Sequence, residues 1–165
     1  MNSIFRKLNF KEQKEIFIIN APDSFKPAML EMASITNVKN VLSQAKGVHF
    51  LLVFVTKQDE VDDLAHKIAP LIEGDAVVWF AYPKSSSKRY KCEFNRDSGW
   101  TELGKQGFEG VRMVAIDEDW SALRFRKTEF IKTMTRSFAM SEDGKKKATG
   151  TASRSAVKRS PSKKK

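Results

Sequence analysis

Apolar residues fall along this chain in short dense blocks, and the period inside each block decides the element it predicts. Glu15 to Asn20 carries Ile16, Phe17, Ile18 and Ile19 without a break, and Gly47 to Thr56 reads G-V-H-F-L-L-V-F-V-T. Runs of this length, rich in β-branched and aromatic residues, suit strands buried on both faces. A third run, Val77 to Tyr82, stops at Pro83, which has no amide proton to continue a ladder. Between these runs the spacing lengthens to that of a helix. Phe25, Met29 and Met32 share one face of a predicted helix from about Phe25 to Ala33, opened by Asp23 or Ser24 as cap. Asp59 to Ile72 is amphipathic through Val61, Leu64, Ala65, Ile68 and Leu71, with Gly74 as its C-cap. Thr36 to Leu42 alternates only weakly, as an edge strand or a connector would.

In the second half, Asn95 is the expected N-cap of a helix running through Trp100 and Leu103 and stopping between Gly104 and Gly107. Phe108 to Ile116 and Trp120 to Phe125 read as strands separated only by Asp117-Glu118-Asp119, so they pair as an antiparallel hairpin. Lys127 to Phe138 predicts a last helix carrying Phe130, Ile131, Met134 and Phe138. The expected fold is therefore a three-layer, Rossmann-like α/β domain. Its sheet is mostly parallel, of about five or six strands, and ends in an antiparallel hairpin. Residues 1–14 form an arm, 15–140 the domain, and 141–165 a disordered Lys/Arg-rich tail. Right-handed crossovers bring Asn20-Ala21-Pro22, Thr56-Lys57 and Tyr82-Pro83-Lys84 to one edge of that sheet, where open α/β sheets place ligands.

Charge changes this picture at one end. The formal net charge is +10. Lys145, Lys146, Lys147, Arg154, Lys158, Arg159, Lys163, Lys164 and Lys165 give nine cations and no acid between Gly144 and Lys165, which leaves +1 for residues 1–143. Only Ala and one Val supply apolar surface there, too little to offset the entropy of ordering. Such a segment attracts polyanions without reading sequence, with nucleic acid as the first expectation. Anionic membrane and plain solubilisation are the competing readings. The single cysteine, Cys92, rules out an intrachain disulfide and fits a reducing compartment. Neither a signal-peptide core nor a spanning apolar run is present. The expected location is cytoplasmic, or nucleoid-associated if the tail holds DNA.

The candidate chemistry gathers after the third strand. Lys84, Ser85, Ser86, Ser87 and Lys88, followed by Arg89, could bind a small anion through hydroxyls, amides and cations. A solvated surface loop is the alternative. Arg96 and Asp97, further candidates for the ligand or anion site, sit where a helix is expected to open, with structural capping by Asp97, or its pairing with Lys84 or Arg124, set against a catalytic role. Arg124, between apolar neighbours, is expected in a buried ion pair. Asp117, Glu118 and Asp119 lack the spacing of a calcium loop and read as a solvated turn. Cys92 has Lys88, Arg89 and Lys91 nearby, which could lower its thiol pKa. His49 and His66 read as packed or surface histidines. No catalytic constellation or metal set can be assembled from these residues, and no cofactor is implied.

Three blocks carry a resemblance: A-Y-P-K-S-S at 81–86, N-R-D-S-G-W at 95–100 and V-A-I-D-E-D-W-S-A-L-R-F-R at 114–126. Together they resemble an uncharacterised family of small bacterial domains over Ile16 to Arg126, a kinship that implies no known activity. More distantly, the chain resembles the latter half of Rossmann-type methyltransferases, which implies that the final strand inserts antiparallel between its neighbours. The cofactor half departs from that pattern. Ile18-Ile19-Asn20-Ala21-Pro22-Asp23 stands where G-x-G-x-G would follow the first strand, and no acid closes the second. The expected function is a non-catalytic binding domain whose tail holds nucleic acid. The alternative is a degenerate Rossmann-like enzyme or ligand-binding domain with an anion site at Lys84–Lys88.

Overall fold

A computed structural model describes residues 2–43 and 45–131. A short helix, α1 (Ser3–Lys7), precedes β1 (Glu15–Ile19), α2 (Lys26–Ala33), β2 (Asn37–Lys39) and β3 (Val48–Phe54). Then come α3 (Gln58–Ile68), β4 (Ile72–Pro83), α4 (Thr101–Lys105), β5 (Phe108–Ala115) and β6 (Trp120–Lys127). The six strands lie in one sheet in the order β2-β1-β3-β4-β6-β5. The first four are parallel, and β6 is antiparallel to both β4 and β5. The chain is thus a Rossmann-like α/β domain whose last strand inserts antiparallel between its neighbours. The order reverses between β1 and β3, so the switch point lies at the carboxyl ends of those two strands.

Period two explains the layering. Alternate residues of β3 and β4 point to opposite faces. One face, with Leu51, Val53, Val78 and Phe80, is covered by Val61, Leu64, Ala65 and Ile68 of α3 and by Trp100 and Leu103. The other, with Phe50, Leu52, Val77 and Trp79, is covered by Phe5, Leu8, Phe25 and Met32. The N-terminal arm therefore supplies core: Phe5 and Leu8 are fully buried, and Leu8 accepts the Trp79 indole proton on its carbonyl at 2.7 Å. Among the described residues, no helix is long and apolar enough to cross a membrane.

Five local expectations change. The third helix ends at Ile68, and Ile72 already belongs to β4. Gly74 is not its C-cap but lies inside β4 at φ 61°, where the register with β3 shifts from Val48↔Ile72 to Phe50↔Val77. Neither Asp23 nor Ser24 caps α2 with its side chain; that helix is entered through a 3-10 turn, Asp23–Phe25. Asn95 caps a turn rather than a helix, its side-chain oxygen accepting from the Asp97 amide and the Ser98 hydroxyl, while α4 starts only at Thr101. The last predicted helix opens as a 3-10 turn, Thr128–Phe130, and the rest of it, like the tail 141–165, lies outside the described residues.

Candidate functional site

The carboxyl ends of β1, β3 and β4 share one sheet edge, and the residues that follow them decide what that edge can hold. After β1, Asn20 takes a left-handed backbone (φ 61°), so the chain turns sharply into Ala21-Pro22 without glycine. After β3, Glu60 Oε1 accepts the amides of Thr56 and Lys57 at 2.9 and 3.0 Å, and Glu93 Oε1 accepts that of Gln58 at 2.8 Å. Free amides at a helix start ordinarily attract anions. Here two carboxylates of the chain itself occupy that position on α3. Glu93 reaches it because its own amide is held by the Thr56 carbonyl at 3.1 Å.

Aromatic rings fill the rest of the edge. On the α1/α2 side, Phe25 meets Phe54 at 5.0 Å, Phe54 meets Trp120 edge-on at 5.1 Å, and Trp120 meets Tyr90 at 4.9 Å between centroids. On the α3 side, Trp100 packs against Phe94, Phe80, Tyr82 and Phe125. The crevice at the switch point is thus occupied by Phe25, Phe54 and Trp120.

That loop is tied down at defined atoms. The Lys84 amide donates to the Asp119 carbonyl at 2.8 Å, and the Ser87 hydroxyl donates to the Asp119 carboxylate at 2.9 Å. Ser87 Oγ also accepts the amides of Arg89 and Tyr90. Asp119 is itself placed by Asp117, whose carboxylate accepts the amides of Asp119 and Trp120. The acidic hairpin tip therefore works as an Asx turn and a tether. Among the described residues, no three His, Cys, Asp or Glu side chains converge as metal ligands.

The predicted site residues separate into two groups. Lys84, Ser85, Ser86, Ser87 and Lys88 lie together on the tethered loop, with Ser87 engaged as the tether and Ser85, Ser86 and Lys88 exposed. Arg96 and Asp97 lie apart on the 95–98 turn, exposed and bound to each other at 3.2 Å. Asp97 pairs with neither Lys84 nor Arg124. Its carboxylate raises the Arg96 pKa further through their hydrogen bond.

Arg124 departs from expectation as well. Arg126 makes the ion pair, with Asp75 at 2.6 Å, whereas Arg124 forms none among the described residues. Its buried Nε has no hydrogen-bond partner. Burial, with the nearby Arg126 guanidinium next in weight, lowers its pKa. Cys92 also runs against its expected shift: burial raises the thiol pKa, and Glu93 and Glu60 add to the rise. His49 and His66 are surface residues bound to Glu73 at 3.0 Å and Glu102 at 2.9 Å. Sequence reasoning missed Glu93 as a helix cap, since its partner lies 35 positions away.

No protein-family model matches the chain, and no curated protein matches it. Solved structures do. An S-adenosylmethionine-dependent methyltransferase from Aquifex aeolicus aligns over 75% of this chain and 87% of its own, at 11% identity and a TM-score of 0.49. A protein of the NAD-binding Rossmann superfamily from Streptococcus agalactiae aligns over 77% and 68%, at 12% identity and a TM-score of 0.48. TrmN from Thermus thermophilus aligns over 76% and 47%, at 8% identity and a TM-score of 0.49. These are likenesses of architecture, and the topology given above stands on its own strand pairings.

Proposed function

We propose that this domain binds an anionic, phosphate-bearing ligand on the loop after β4, on a Rossmann-like scaffold whose switch-point crevice is filled by aromatic rings. One observation carries the reading. Lys84, Lys88, Arg89 and Lys91 fall within eight positions, and none has an ion pair among the described residues. The acids nearest in sequence are already committed, Glu93 to the start of α3 and Asp97 to Arg96. Ser85 and Ser86 add hydroxyls that can donate to phosphate oxygens. The blocks 81–86 and 114–126, which suggest kinship with the small bacterial family, supply the loop and the hairpin that tethers it.

A panel of nucleotides, inorganic phosphate and S-adenosylmethionine, read by thermal shift, tests the proposal. A ligand at a hundred times its dissociation constant should add about 2.7 kcal/mol of stability. Lys84→Gln with Lys88→Gln should abolish that gain without lowering the unliganded melting temperature. Stabilisation by S-adenosylmethionine that survives this double variant would instead favour a retained cofactor site. No stabilisation by any phosphate compound overturns the anion-binding reading.

A second reading concerns residues 144–165, and its observation is compositional: nine cations without one acid. We propose that this segment holds the protein on nucleic acid through phosphate charge alone. The full chain should bind DNA oligonucleotides of unrelated sequence alike, with affinity falling steeply in salt. A chain lacking 144–165 that binds equally well removes this reading.

A further inference from the structure

Of the three tryptophans, one is left without an acceptor for its indole proton. Buried indoles ordinarily find one. Trp79 donates to the Leu8 carbonyl at 2.7 Å, and Trp100 donates to the carbonyls of Asn95 and Arg96 at 2.9 and 3.0 Å. Trp120 is 3% exposed, and its buried Nε1 has no partner among the described residues. Its backbone is not free to shift toward one. The Trp120 amide donates to the Asp117 carboxylate at 2.9 Å, and its carbonyl accepts the Ile116 amide at 2.9 Å. Phe54 packs edge-on against the ring at 5.1 Å.

The ring that meets Trp120 from the cationic loop is Tyr90, 4.9 Å away and tilted by 53°. Tyr90 is half-buried, so part of its side chain faces solvent. Lys88, Arg89 and Lys91 flank it in sequence, and all three are exposed. The Tyr90 amide is held by Ser87 Oγ, and the Ser87 hydroxyl by Asp119, the residue before Trp120. This chain of bonds sets the ring pair and the cations in one place. The Tyr90 hydroxyl has no hydrogen bond among the described residues, so its ring can move on a fixed backbone.

Cations beside an aromatic pair with a spare donor fit a ligand of two parts. Phosphate oxygens suit Lys88 and Arg89. A flat heterocycle suits Tyr90, because stacking needs only a π-face. A carbonyl or ring nitrogen on that heterocycle supplies the acceptor that Trp120 Nε1 lacks. An aliphatic phosphate would leave both features unused. We infer that the loop takes a phosphate ester of a planar, acceptor-bearing ring, the chemistry of a nucleoside phosphate, with the ring held at Tyr90 and Trp120. This names the ligand class for the anion-binding reading above and rests on it. Because Trp120 Nε1 is closed from solvent in the unliganded protein, Tyr90 swings outward and covers the incoming ring.

The test is calorimetric titration of the full chain with the monophosphates of adenosine, guanosine and uridine, and with ribose phosphate, which has the same charge and no base. At least one nucleotide should bind about tenfold or more tightly than ribose phosphate. Tyr90→Leu keeps an apolar cover on Trp120 but has no π-face, and should bring that ratio close to unity. Tyr90→Phe should keep it. Trp120→Phe retains a ring but no indole proton, and should lower the ratio about fivefold. Equal affinities for nucleotides and ribose phosphate in the unmodified chain overturn this inference and leave the anion-binding reading standing. A ratio that survives Tyr90→Leu, or Trp120→Phe, overturns it as well. Absence of binding by every one of these phosphates overturns the reading on which the inference rests.

Discussion

The Ser87 hydroxyl donates to the Asp119 carboxylate at 2.9 Å across 32 positions of sequence. With the Lys84 amide bound to the Asp119 carbonyl, this fixes the cationic loop onto the β5–β6 hairpin. Ser87→Ala removes both the bond and the acceptor used by the Arg89 and Tyr90 amides. Loss of the tether should cost about 1 kcal/mol in urea denaturation. It should also accelerate amide exchange at Arg89 and Tyr90 while leaving β3 and β4 protected.

Gly99 has no room for a side chain. Its φ is 93°, and a Cβ built there would lie 2.5 Å from Phe94 Cβ and 2.8 Å from Gln58 Oε1. The Gly99 carbonyl also accepts the Gln58 side-chain amide at 2.7 Å, so the turn cannot move away without losing that bond. Gly99→Ala should destabilise by about 2 kcal/mol or more, through left-handed strain and displacement of Phe94. A melting temperature within a degree of the parent would refute this account.

Much of this architecture was legible in the sequence because burial on two faces leaves a dense signal. Glu15–Asn20, Gly47–Thr56 and Val77–Tyr82 each read as a strand, and the short Asp117–Asp119 connection implied an antiparallel hairpin. What stayed hidden depends on distance. Nothing near Glu93 in sequence announces that it will close the start of α3, because the helix it caps lies far upstream. Arg124 and Arg126 look alike in W-S-A-L-R-F-R, yet only Arg126 meets Asp75, an assignment fixed by the β4–β6 register and the irregular start of β4. Asn95 has the side chain of a helix cap, but its neighbours Arg96 and Asp97 close a turn first.

The aromatic column at the switch point should behave as core. Phe54 is nearly fully buried between Phe25 and Trp120, so Phe54→Ala removes the ring that joins two elements across the crevice. The expected loss is about 3–5 kcal/mol by chemical denaturation. Phe54→Leu keeps most of the volume and should lose less than about 1.5 kcal/mol. If Phe54→Ala instead costs almost nothing, or gains affinity for a nucleotide, the crevice is a ligand site with a movable ring.

Tyr82 gives the clearest dependence on pH. Its hydroxyl lies within the aromatic cluster of Phe94 and Trp100 and donates to Met113 Sδ at 3.2 Å, a weak acceptor. Burial pushes the phenol up to about 12 from an ordinary 10.0, only partly opposed by Arg96. The folded state therefore holds this proton where the unfolded chain has begun to lose it. The contribution is fully present below pH 10 and is lost as pH rises toward 12. A rise of this size corresponds to at most about 2–3 kcal/mol of stability, drained across that window. Denaturation midpoints measured at intervals from pH 9 upward should fall more steeply for the parent than for Tyr82→Phe, which has no proton to lose. Of the two tyrosines, one phenolate absorbance should therefore appear late in alkaline titration and vanish in the variant. Parallel alkaline limbs in parent and variant would mean that Tyr82 meets solvent in the folded protein, and that the ring cluster above α4 opens more readily than its packing implies.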